Sequence, residues 1–226
     1  MTMRLLEPVS RVDQVTSAIR RAILTGQLEP GMPFKVTELA ATFGVSIIPV
    51  REALQRLAVV GLVELRPLRM AVVSPLSADD LRDIYALRCL LEGTAIKASC
   101  MELTDEDLAS LSDCLVAMAG HDDPRSDGFW VTHQSFHRLL LRPAYTPRLM
   151  HALGPLWEGT ERYVRLVYDE IGFDQHGLPA DVHRPILDAV VARNPTGAEK
   201  ALVAHFKANL KWMLGGLSSV MSPKET

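Results

Sequence analysis

The run from Thr37 to Val73 limits what this chain can fold into more than any other feature. A short apolar-periodic segment, Thr37 to Phe43, stops at Gly44-Val45. Ser46 then offers an N-cap to a second helix carrying Pro49 in its first turn, where a missing N–H leaves nothing unsatisfied. Val50, Leu54, Leu57 and Ala58 give that helix one apolar stripe, up to Gly61. Leu62–Leu65 and Ala71–Val73 follow as short strands, joined by the tight turn Arg66-Pro67-Leu68-Arg69-Met70. Upstream, Ser10 caps a helix with Val12, Val15, Ile19 and Ile23 at helical spacing, and Gly26 stops it. Three helices and a hairpin in this order predict a winged helix-turn-helix. The last helix of such a unit can lie in the major groove of DNA, with its N-terminal side chains at the base edges.

Ser74-Pro75-Leu76-Ser77 is a natural boundary, because Pro75 disfavours a helix running through it. Two domains are expected, 1–75 and 76–226. Beyond the boundary the pattern is helical throughout. Ser77 with Asp80 resembles a capping box for a helix to about Cys100, and Thr104 with Asp107 opens another to about Ala119. Helices are expected over about Asp127–Leu141 and Pro147–Tyr168. Asp181 reads as the cap of a fifth, ending at Asn194-Pro195, and Thr196 with Glu199 as a capping box for a sixth, closed by Gly215-Gly216. The expected fold class is mainly α: a winged helix-turn-helix followed by an all-α helical bundle.

The charge is unevenly divided. The whole chain of 226 residues carries −3, yet residues 1–75 hold nine Lys and Arg against six Asp and Glu, a balance of +3. The remainder is −6, so a mildly basic head precedes an acidic body, as suits a first third that meets a polyanion. The three cysteines, Cys89, Cys100 and Cys114, form no CxxC pair and suggest neither a disulfide framework nor a thiolate metal site. No apolar run approaches the roughly 20 residues that span a bilayer, and Met1–Ser10 lacks the pattern of a secretory signal. A reduced cytoplasmic protein without a membrane partner is expected.

The head resembles the winged helix-turn-helix of the GntR regulators over roughly Val12–Val73. The resemblance is carried by Ile19-Arg20-Arg21-Ala22-Ile23-Leu24-Thr25-Gly26-Gln27-Leu28-Glu29-Pro30-Gly31, by Glu38-Leu39-Ala40, and by Gly44-Val45-Ser46 with Pro49-Val50-Arg51-Glu52-Ala53-Leu54. It implies that Arg51 reads guanine O6 and N7 as a bidentate donor. The competing reading of Arg51 is a surface ion pair. Thr37 and Ser46 stand where short hydroxyls bind phosphate at helix starts, and Arg69 at the wing tip is placed for the minor groove or a phosphate. The family usually has Arg and then Thr after the Ser46 position. Here Ile47 and Ile48 stand there, able to touch a thymine methyl but not to hydrogen-bond. The wing glycine that usually follows Arg69 is Met70.

Four histidines organise the second half. His133 and His137 are i, i+4 and share a face with Trp130 and Leu140. His183 opens the next-to-last helix, and His205 lies on the stripe of Leu202, Phe206, Asn209 and Met213. Each alone reads first as a core histidine with a backbone hydrogen bond. Together they read as a metal site, since one ion satisfies several buried imidazoles at once. This half resembles the FadR-type ligand-binding domain (FCD) over about Ser77–Leu217. The matching residues are Leu87-Arg88 with Leu91-Glu92, Phe136-His137, His183-Arg184-Pro185-Ile186-Leu187-Asp188-Ala189 and Ala204-His205. In that family a carboxylate and three histidines hold a divalent metal. The resemblance carries those histidine roles to His137, His183 and His205, and places His133 at the carboxylate position. Zinc is the expected ion, with nickel next, because imidazole suits both.

Arg88 falls on the inward stripe of Leu81, Ile84, Leu91 and Ala95. It reads either as half of an Arg88–Glu92 pair at i, i+4, or as a fork for a carboxylate effector beside the metal. Asn209, one turn beyond His205, is the second effector candidate. The resulting expectation is a homodimeric DNA-binding repressor on a palindromic operator, responding to a small organic acid. Two rivals remain: a His-rich metalloenzyme, and a winged-helix regulator whose helical domain only dimerises. No HExxH-like arrangement places a general base beside the histidines.

Overall fold

A computed structural model describes residues 10–67, 70–121, 123, 126–171 and 179–221. The chain forms two compact units, Met1–Leu76 and Ser77–Thr226.

In the first unit, α1 (Arg11–Leu24) starts where the Ser10 hydroxyl accepts the Asp13 N–H at 3.1 Å. It is followed by β1 (Pro33–Lys35), α2 (Val36–Phe43), α3 (Ile47–Val59), β2 (Val63–Arg66) and β3 (Met70–Val73). Gly44 ends α2 at φ 63°, a left-handed conformation that a side chain would strain. This is the tight turn between the two motif helices. The core is Ile19, Ile23, Phe34, Val50, Leu54, Leu57 and Ala71, all essentially buried. At about 1.5–3 kcal/mol for each large apolar side chain buried, it holds α1 and the sheet against α3.

The strand β1 was not foreseen. Pro33-Phe34-Lys35 is too short for alternation to register, yet it pairs antiparallel with β3, Phe34 opposite Ala71. The sheet order is β1-β3-β2, so the hairpin gains a third strand that ties it to the start of α2.

The second unit is helical throughout its described residues. Its elements are α4 (Ala78–Ser99), α5 (Asp105–Ala119), α6 (Asp127–Leu141), a single tight turn at Arg142–Ala144, α7 (Pro147–Ile171), α8 (Pro179–Val191) and α9 (Pro195–Met221). Ser77 caps α4, and Thr104 with Asp107 forms a reciprocal box at the start of α5. Two expected boundaries differ. The α8 helix begins before Asp181, which falls in its first turn. The cap of α9 is Asn194, whose side-chain oxygen accepts the Gly197 N–H at 2.9 Å, so Pro195 takes the first helical position. Glu199 instead pairs with Lys97 at 3.0 Å. The helix also runs through Gly215-Gly216 to Met221, because Met213, Gly216 and Leu217 are buried and their packing outweighs the glycine cost.

The long α9 packs along α4, α7 and α8, with Tyr85 of α4 meeting Phe206 edge-on at 5.9 Å. Together with α6, these helices surround the interior in which the histidines lie. No described helix is long and apolar enough to cross a membrane.

Candidate functional site

Helical spacing sets His133 and His137 one above the other on α6, next to the buried Phe136 and Leu140. His183 comes from α8 and His205 from α9. Each of the four offers a ring nitrogen, and these atoms all lie within 4.8 Å of one another. The Nε2 atoms of His183 and His137 are 3.3 Å apart, and the His183 and His205 rings are 4.3 Å apart between centroids. Burial, reinforced by neighbouring imidazoles and Arg88, pushes His133, His137 and His205 well below the usual histidine range. These three imidazoles are therefore neutral, each with one N–H and one lone pair.

That donor set fits a divalent cation. Nitrogens about 2.0–2.1 Å from a tetrahedral zinc sit about 3.3–3.4 Å from one another. The His137–His183 separation is the length of such an edge.

Beside the histidines lies a buried ion pair. Arg88 Nε donates to Glu92 Oε1 at 2.6 Å, with the side chains 5% and 0% exposed. Arg88 also donates from a terminal nitrogen to Thr160 Oγ1 at 3.2 Å, and its guanidinium lies over the Phe206 ring at 4.2 Å. Burial is the strongest single influence and would weaken the Arg88 charge, but Glu92, together with Tyr85 and Cys89, raises the guanidinium above its usual value. Glu92 Oε1 accepts a second bond, from Trp157 Nε1 at 3.1 Å. Its other oxygen has no hydrogen-bond partner and stands 4.0 Å from His137 Nδ1, which has none either. Both readings of Arg88 therefore meet in one place, for the residue pairs with Glu92 and also lines a cavity with the four histidines and Asn209. The cavity has a volume of about 330 Å³, within the range of small-molecule pockets. Asn209 Nδ2 lies 3.3 Å from His205 Nε2.

Sequence reasoning missed Glu92 as a neighbour of His137, and Thr160 as the anchor of Arg88. Glu92 was legible only as the i+4 partner of Arg88. Thr160 lies seventy-two residues away and carries no local signal.

In the head, Arg51 is exposed in the first turns of α3 and, among the described residues, makes no ion pair, so the surface-pair reading is not realised. Ser46 is exposed at the N-cap of α3 and makes no capping bond with its side chain. Thr37 is exposed in the first turn of α2. Ile47 packs partly against the head core, whereas Ile48 is 67% exposed. Arg69 lies outside the described residues.

A winged-helix head followed by a helical domain built around a histidine-lined cavity defines a class of DNA-binding regulators. The chain belongs to the GntR family: residues 11–73 match the model of bacterial regulatory proteins of the gntR family, and residues 83–208 match the FCD domain. It is 32% identical to the "Probable D-xylose utilization operon transcriptional repressor" of Paenarthrobacter nicotinovorans, over 92% of this chain and 91% of that protein. It is 26% identical to the HTH-type transcriptional repressor RspR of Escherichia coli (strain K12), over 89% of each. Among solved structures, Escherichia coli McbR/YncC matches the fold with a TM-score of 0.75, at 24% identity, covering 92% of this chain and 99% of that one. The family and these relatives are transcription regulators rather than enzymes, which disposes of the metalloenzyme rival.

Proposed function

We propose that this GntR-family regulator is a homodimeric, cytoplasmic repressor whose helical domain holds a divalent metal and a carboxylate effector. His133, His137, His183 and His205 bind the ion, zinc first and nickel second. The effector carboxylate ligates the ion and is oriented by Arg88 and Asn209. The observation that carries this reading is the convergence of four imidazoles and a buried guanidinium on one cavity.

The charge balance favours an anion. Four neutral imidazoles leave the ion's +2 intact, and Glu92 already matches the charge of Arg88. The net positive charge in a place of low dielectric therefore belongs to the metal, and Arg88 contributes direction more than attraction.

On the DNA side, Arg51 reads a base while Thr37, Ser46 and Arg69 bind phosphate or the minor groove. Ile47 and its more exposed neighbour Ile48 face thymine methyls. Two heads on a palindrome supply the footprint that one small head lacks. Occupancy of the cavity shifts the heads by binding one arrangement of the dimer better than the other.

Elemental analysis and zinc competition titration test the metal centre. Wild type should bind one ion per chain and His137→Ala should lose it. A wild type without zinc affinity that still answers its effector would reduce the histidines to core residues and the helical domain to dimerisation.

A further inference from the structure

The cavity changes character along its length. At one end stand the histidines with Phe129 and Trp130 against His133, Arg88 held by Thr160, and Asn209. The helix α7 then presents Val164 and Tyr168 to the same cavity, one and two turns beyond Thr160. In step with it, α9 presents Trp212 seven residues beyond His205, about 10 Å further at the helical rise. Tyr168 and Trp212 meet edge-on at 4.8 Å at that end, with Val182 and Pro185 of α8 also lining the cavity. Among the described residues, no charged side chain and no amide lines this second end, whose polar atoms are confined to the Tyr168 hydroxyl and the Trp212 indole N–H.

From this gradient we infer that the effector is an amphipathic monocarboxylate, one anionic head carrying a flat aromatic or compact hydrocarbon body, and not a polyhydroxylated acid. The inference rests on the metal-bound carboxylate of the proposed function and adds the chemistry of the rest of the molecule. The head is served by the metal and Arg88. The body then lies toward Val164, Tyr168 and Trp212, the end away from the charged groups, where a ring gains edge and face contacts with the two aromatic side chains. A sugar acid of similar length would carry its hydroxyls into the same space. Each hydroxyl left without a partner there costs about tenfold or more in affinity. The cavity volume of about 330 Å³ accommodates a ring plus a short carboxylate arm.

Calorimetric titration of the zinc-loaded full chain with three acids tests this. The probes are acetate, which is the head alone; phenylacetate, a head with an aromatic body; and D-gluconate, a head with a polyhydroxylated body. Phenylacetate is expected to bind at least tenfold more tightly than gluconate or acetate. Trp212→Ala should remove most of that advantage while leaving acetate binding within twofold, and the acetate value also reports that the variant retains its site. Gluconate binding as tightly as phenylacetate, or a Trp212→Ala protein that holds acetate and keeps the full phenylacetate advantage, would overturn the inference and leave the metal-bound carboxylate standing. Carboxylate binding that survives removal of zinc would instead overturn the reading on which it rests.

Discussion

Arg51 and Glu92 show how differently single residues declare themselves. Arg51 is exposed on α3 with, among the described residues, no carboxylate to hold it, which leaves its guanidinium available for the proposed guanine edge. Arg51→Ala should lower operator affinity by about 1–3 kcal/mol and relax preference at one base pair per half-site. A gel-shift titration with unchanged affinity would remove Arg51 from base readout. Glu92 is the opposite case, a carboxylate with no exposure whose free oxygen faces His137 Nδ1 at 4.0 Å. In the proposed metal site His133 stands where the resemblance implies a carboxylate, and the Glu92 charge sits behind the proposed ligand His137 instead. Glu92→Gln keeps an acceptor for Arg88 and Trp157 but removes that charge. Zinc affinity is expected to fall about tenfold or more, as for other groups that orient a metal-binding imidazole. A competition titration with no change would show that the carboxylate serves Arg88 alone. The histidines were legible because residue type and helical spacing coincide. Glu92 was not, because its relation to His137 crosses from α4 to α6 and depends on burial.

At the level of elements, local chemistry announced some boundaries and hid others. Ser10, Ser77 and Thr104 cap their helices through bonds three residues away, a range at which sequence is informative. β1 exists only because Pro33–Lys35 pair with Met70–Val72, more than thirty residues on, and no pattern within Pro33–Lys35 could announce it. The C-terminal end of α9 failed for a related reason. Gly215-Gly216 reads as a stop, yet burial of residues on both sides carries the helix onward. Gly215 sits in the helix with open space where a Cβ would stand. Gly215→Ala should therefore stabilise the protein by about 0.5–1 kcal/mol, seen as a raised melting midpoint. An unchanged or lower midpoint would mean that the glycine is needed there for a reason other than helix formation.

For the molecule as a whole, the two-domain grammar was the most legible property, since the change from helix-turn-helix and hairpin to uninterrupted helices falls at a proline. The cavity was the least legible, because its lining comes from α4, α6, α7, α8 and α9 and only assembly brings those faces together. The proposed function rests on linkage between that cavity and the DNA-binding head, and such linkage requires that the proposed effector distinguish two states of the proposed dimer. The most direct measurement is operator affinity by fluorescence anisotropy, on a DNA fragment captured by the protein itself, with and without a bound carboxylate, for zinc-loaded and chelator-stripped protein. The account predicts that the carboxylate changes operator affinity at least tenfold in the zinc-loaded protein and leaves it unchanged in the stripped one. An equal shift in both would contradict a metal-centred sensor.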